Sequence, residues 1–303
     1  VSLTVAVVAV VLITLVQLAP YVRARDRLAA ADHLARSVDL GLDPAVADVV
    51  VARLVRRERA GALGGLVVGL PVAWWASRTL GPDAAATGAL LVFVGLFAGR
   101  AIGCALVSWV ESARQGPAGA RVARASTPVH GDYVARLERW GSWGMAAVAV
   151  VLGLGLLVLD RVGVVELDAV PVALVVLSVV APPLAVILDE LGARWLLSRP
   201  QVARSQVELA WDDALRARTL RDMVTVTIVV SAYAPLGLLA AMGDALEGGW
   251  PDNPAVGVLN TLLLVLLVGL TVMGLVSVAQ RPQRHFRRTL WPVADAAPVG
   301  GAR

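Results

Sequence analysis

Residues 85–109 read AATGALLVFVGLFAGRAIGCALVSW, twenty-five residues with one charge, Arg100. A helix of about 20 apolar residues crosses the hydrocarbon core of a bilayer, so this stretch has the length and character of a membrane span. Stretches of similar character occupy 1–21, 61–79, 143–159, 169–189, 223–243 and 255–279. The chain has 303 residues, is 58% hydrophobic, and has a mean hydropathy of +0.74. A soluble domain is nearer 45–50% apolar. The expected fold is all-α: a polytopic helix bundle of about seven spans, forming a single transmembrane domain over 1–280. A basic tail follows over 281–303 and is expected to be flexible at its end.

The strong bases support the same layout. All 27 are arginine. Eight fall in 22–60, five in 110–142, six in 190–222 and five after 280, whereas the alternate connections hold only Arg78 and Arg161. Positive charge beside spans is retained in the cytoplasm. This predicts an N-terminus outside, a C-terminus inside and residence in a bacterial cytoplasmic membrane. The first stretch has no basic residue before it, and Ala19-Pro20-Tyr21 is a poor cleavage site, so it reads as a retained anchor. Trp74, Trp75, Trp109, Trp140, Trp143 and Trp195 sit at expected span ends, where indoles favour the interface.

The arginine-rich connections carry helix signals of their own. Amphipathic helices are expected at about 26–60, 132–140 and 205–221. Asp43-Pro44 reads as an N-cap followed by proline at the first helical position. Ser205 and Glu208 have capping-box spacing. Asp212 and Arg216 stand four apart, as an ion pair on a helix would. Trp211 and Leu215 mark one apolar face and are the candidate docking residues for a partner. Tyr133, Leu137 and Trp140 recur as a face suited to lying along lipid headgroups.

Within the spans, Gly95, Gly99 and Gly103 repeat every fourth residue and present a flat face for close helix packing, against a second copy or a neighbour in the chain. Arg100 is the one strong base that the topology pattern leaves unplaced. A charge inside an apolar run usually pairs or lines a cavity, or it snorkels to the headgroups. Asp189, Glu190 and Asp222, at the arginine-rich ends of other spans, are its candidate partners. Pro182-Pro183 and Pro235 fall inside spans, where proline kinks a helix and interrupted helices often mark transport sites.

Several chemistries are excluded. Without lysine there is no P-loop and no Schiff-base site. Cys104 is the only cysteine, so neither an intrachain disulfide nor a cysteine zinc site can form. No catalytic motif is present, although Asp189-Glu190 with Arg194 faintly echoes a membrane protease motif and keeps a remote intramembrane hydrolase open. The three histidines, His33, His130 and His285, all lie outside the spans. No cofactor, metal or nucleic-acid partner is expected; the lipid bilayer is.

Three segments together, the 22–60 segment ending Val55-Arg56-Arg57-Glu58-Arg59, the stretch Thr127–Val134 and the stretch Ala210–Arg218, resemble multi-pass membrane proteins of actinobacteria with no known activity. The resemblance implies a permease-like role beside an ABC-type ATPase, and it carries over no functional residue. Two functions are therefore expected. One is a transport subunit working with a separate ATPase. The other is a membrane scaffold or sensor acting through its cytoplasmic helices; homo-oligomerisation is open for both.

Overall fold

The computed structural model describes residues 3–80, 85–114, 127–163, 170–199, 205–246 and 282–291, with the isolated positions 201, 203, 261, 265 and 269. Nearly all of the expected span at 255–279 lies outside the described residues. The helices are α1 (Leu3–Leu18), α2 (Ala24–Val38), α3 (Pro44–Thr79), α4 (Ala85–Arg114), α5 (His130–Tyr133), α6 (Arg136–Arg161), α7 (Val172–Leu197), α8 (Gln206–Leu246) and α9 (His285–Leu290). Among the described residues there is no strand. Six helices, α1, α3, α4, α6, α7 and α8, are long and apolar enough to cross a membrane. Their outward side chains are apolar: Val67, Val151 and Val172 are 71, 69 and 76% exposed. A bundle that shows valine and leucine outward is a multi-pass membrane protein, because lipid, unlike water, carries no penalty for that surface.

Two of the helices are longer than the spans expected of them. α3 has 36 residues and α8 has 41, so at 1.5 Å per residue they run about 54 and 62 Å. Each joins an expected surface helix to an expected span without a break. α3 starts where the sequence signals it: Asp43 accepts from the Ala45 amide at 2.8 Å, with Pro44 in the first turn. Ser205 Oγ likewise accepts from the Glu208 amide at 3.1 Å at the start of α8. Residues 26–60 hold two amphipathic helices, α2 and the first half of α3, separated at Asp39, which takes a left-handed φ of 59°.

The expected helix at 132–140 is corrected. α5 ends at Tyr133, Val134 is extended, and α6 begins at Arg136. Tyr133 and Val134 are fully buried, so the start of this segment enters a protein core, whereas Leu137 and Trp140 of the expected face are 43 and 72% exposed. Pro71, Pro182, Pro183 and Pro235 all sit inside continuous helices, so none of these described spans is interrupted at a proline.

The bundle has two ends of different character. At one end, Leu91, Leu156, Leu174, Leu238 and Met242 form a small apolar cluster from α4, α6, α7 and α8. At the other, α2, the first half of α3, α5, the first half of α8 and α9 build a cap with its own core. Leu34, Leu54, Tyr133, Leu196, Trp211 and Phe286 meet there. Every arginine-rich segment that is described converges on this cap end. α9 belongs to it: Phe286 is 1% exposed, Arg287 pairs with Asp39 at 3.2 Å, and Arg284 donates to the carbonyls of Arg36 and Ser37.

α3 and α4 meet along their glycines. A Cβ added at Gly99 would fall on the carbonyl of Gly64, and one added at Gly64 would fall on the carbonyl of Gly99. One at Gly103 would strike the Ala60 carbonyl, and one at Gly95 would come within 3.1 Å of Val72. The glycine row is therefore filled by α3 of the same chain, backbone against backbone.

Candidate functional site

One turn below this seam, α3 carries Glu58. Its position follows from helical periodicity: Glu58, Gly61, Gly65 and Gly69 fall on one face, the face turned to α4. Burial of Glu58 is nearly complete, with 1% of its side chain exposed. Such a carboxylate needs partners, because an unpaired charge in a low-dielectric interior is very costly. It has three. Arg57 Nη1 donates to Oε1 at 3.1 Å, Arg218 Nη2 from α8 donates to the same oxygen at 2.9 Å, and Arg100 Nη2 from α4 donates to Oε2. Arg100 Nη1 also donates to Gln17 of α1 at 3.1 Å. Arg57, only 4% exposed, turns its other terminal nitrogen to Asp222 of α8. Four helices are joined by one cluster.

Arg100 thus neither snorkels nor pairs with Asp189 or Glu190; its carboxylate is Glu58. Asp222 belongs to the same cluster but pairs with Arg57. Asp189 and Glu190 sit elsewhere, where α7 meets α5 and α6. Arg139 Nε and Nη2 grip Glu190 at 3.0 and 3.1 Å, Trp143 Nε1 donates at 3.4 Å, and His130 Nδ1 stands 3.9 Å away. Asp189 is 3% exposed, and its Oδ1 makes no hydrogen bond among the described residues. His130 is buried, its two ring nitrogens likewise make no hydrogen bond among the described residues, and burial holds its pKa below the usual histidine value. Glu190 opposes that shift and Arg139 adds to it.

The expected docking pair is also inside. Trp211 is 2% exposed and donates its indole N–H to the Gly41 carbonyl at 3.2 Å, and Leu215 packs on the same core. Their apolar face is used by the cap itself and is closed to a partner. Next to them, Asp213 is fully buried and accepts from Tyr133 Oη at 2.9 Å, Gln201 Nε2 at 2.8 Å and Trp291 Nε1 at 3.0 Å. Asp212 pairs with Arg53 at 3.0 Å and with Arg216 at 3.4 Å. These carboxylates hold the cap together.

A cavity of about 540 Å³ borders the Glu58 cluster. It lies between the end of α1, α2 and α8. Arg218, Arg221, Asp222 and His33 line it together with Tyr21 and Gln283, and Leu34, Val38 and Ala217 give it an apolar wall. Arg221 is held by Glu138, with Nε and Nη2 donating at 3.2 and 2.9 Å. A second cavity, about 340 Å³ and lined by small apolar side chains of α1, α3 and α4, contains no charged group.

Sequence reasoning reached Arg100 but missed Glu58, the residue at the centre. The signal was present: an acid standing in register with a row of glycines that meets the helix bearing Arg100. No family model matches the chain, and neither a curated protein nor a solved structure shows significant similarity to it.

Proposed function

We propose that this chain is the membrane-spanning subunit of a transport system that works with a separate ATPase, with its solute site at the cavity beside Glu58. The observation that carries the reading is the placement of that cavity. Two members of the Glu58 cluster, Arg218 and Asp222, line it, and ionisable groups held between spanning helices mark solute or ion paths by default. The absence of lysine from the sequence means that this chain cannot supply a P-loop itself. The outer surface of the cap, where Leu28, Val49, Val129 and Val207 are exposed, is the surface left for a partner once Trp211 is accounted for.

The proposed orientation places the cap in the cytoplasm, in keeping with the retention of arginine on that side. Met242 of α8 packs at the end away from the cap, whereas Phe286 packs within the cap. The proposed seventh span at 255–279 falls between these two points of the chain, almost wholly outside the described residues. In a Cys104→Ser background, a cysteine at exposed Val129 should react with an impermeant maleimide only after the membrane is opened. Labelling on intact cells would reverse the orientation.

The transport reading is tested by isolating the full chain from native membranes in mild detergent. An ATPase should co-purify, and its hydrolysis in proteoliposomes should fall severalfold in Glu58→Gln. Repeated recovery of the chain alone would end this reading. It would favour the second one, a membrane sensor or scaffold, for which the separately cored cap joined to the spans by α3 and α8 is the supporting feature.

A further inference from the structure

We infer that the cavity between α2 and α8 binds a phosphate-bearing anion. The inference rests on reading this cavity as the binding site and names the chemistry of what enters it.

Charge is the first ground. Among the described residues, the Glu58 cluster sets three guanidiniums, Arg57, Arg100 and Arg218, against two carboxylates, Glu58 and Asp222. One positive charge is in excess. Arg221, which also lines the cavity, pairs with Glu138. An uncompensated charge beside a partly dry cavity favours an anion, because its field is screened less there than in bulk water.

Donor geometry is the second ground. Arg218 and Arg221 stand three apart on α8 and therefore on one face. Arg218 gives Nη2 to Glu58 and also hydrogen-bonds the Tyr21 hydroxyl, while Arg221 gives Nε and Nη2 to Glu138, which leaves Arg221 Nη1 to donate. Arg218 is 31% exposed and Arg221 is 21% exposed, so both are reachable. Planar guanidinium edges matched to several oxygens are the usual means of holding phosphate. Gln283 and the His33 ring add further donors. Asp222 also lines the cavity, but Arg57 neutralises it.

Position is the third ground. The cavity is bounded by Pro20 and Tyr21, where α1 ends, and reaches Thr225 on α8. It therefore lies at the arginine-rich border of the apolar bundle, with a polar wall and an apolar wall. A phosphodiester headgroup with its chains in the bilayer and a free phosphate both offer the required oxygens.

The test uses the full chain in dodecyl maltoside, melted by tryptophan fluorescence at constant ionic strength. The probes are inorganic phosphate, dihexanoyl phosphatidylglycerol and dihexanoyl phosphatidylcholine, with chloride as reference. Saturable stabilisation by phosphate and phosphatidylglycerol supports a site open to free phosphate. Stabilisation by phosphatidylglycerol alone supports the same chemistry with lipid as its source. No stabilisation by phosphate or phosphatidylglycerol, or equal stabilisation by the zwitterionic lipid, overturns the inference. His33→Glu, at an exposed position on the cavity wall, should weaken the apparent affinity about fivefold. Arg36→Glu makes an acidic change on the same helix outside the cavity and should leave affinity unchanged. Equal weakening by both variants would also overturn the site. Binding without an associated ATPase would leave the anion site standing and remove the transport reading; an ATPase-coupled chain indifferent to these probes would do the reverse.

Discussion

At Gly64, α3 meets α4 backbone against backbone, so that a single added methyl would land on the Gly99 carbonyl, and on either side Gly61 and Gly69 make room for the Cys104 and Leu96 side chains. Between Arg53 and Glu58 the same helix meets α4 and α8 through long charged side chains. The first contact is neutral, close and intolerant of volume. The second spans greater distances and is intolerant of lost charge. One helix thus carries two kinds of specificity. Each suits its surroundings: small residues allow close approach in lipid, where apolar contact brings no hydrophobic gain, while guanidiniums are affordable near the polar end only with carboxylates in place.

The contrast is broken most severely at Glu58. Glu58→Leu removes the acceptor shared by Arg57, Arg100 and Arg218, and should cost about 3–5 kcal/mol, the usual penalty for leaving a buried charge unpaired. It should be seen as early melting or poor recovery on size-exclusion chromatography. Arg100→Leu in the Glu58→Leu background should restore part of the loss; no recovery would show that the two groups do not act as a pair.

Gly99→Ala comes next. The added methyl must push α3 and α4 apart, at a cost of about 1–3 kcal/mol. Gly155→Ala in α6, an exposed position where no described residue lies within 4 Å of the new methyl, should be neutral or stabilising by about 0.5–1 kcal/mol. Similar melting temperatures for the two variants would refute the seam as described.

A smaller effect follows from His130. Because burial lowers its pKa in the folded state, the unfolded chain takes up the proton first as the solution is acidified. The stabilisation from the neutral ring is complete above the ordinary histidine value, about 6.5. It is lost as pH falls from there through the folded-state value. Melting from pH 8 to pH 5 should show this decline, and His130→Gln should flatten it. At the small end, Arg36→Ala breaks only the Asp32–Arg36 pair, whose side chains are 53 and 72% exposed, and should change stability by under about 0.5 kcal/mol.

The helical membrane fold was legible because hydropathy and arginine placement are one-dimensional signals. The start of α3 at Asp43-Pro44 was legible for the same reason, since capping depends on adjacent residues. The glycine row announced a close contact but not its partner; Gly64 on another helix supplies that. Glu58 was hidden among four nearby arginines that the charge pattern already explained. The apolar run begins at 61, so the sequence pattern places the acid one turn earlier in a surface helix. Trp211 and Leu215 were recognised as an apolar face, but only the return of residues 39–43 over α8 shows that the chain covers it. Partner choice between distant segments depends on the three-dimensional path, which no local pattern encodes.

The interlocked carbonyls of Gly64 and Gly99 have a mechanical consequence. Sliding α3 along α4 would drive backbone into backbone, so the two helices behave as a pinned pair and travel together. α8 is held to that pair near the cap both by guanidinium–carboxylate contacts and by the shared apolar core of Leu54, Trp211 and Leu220. Any shift of the pinned pair is therefore passed directly to α8 and to the Arg218 and Asp222 side chains on the cavity wall.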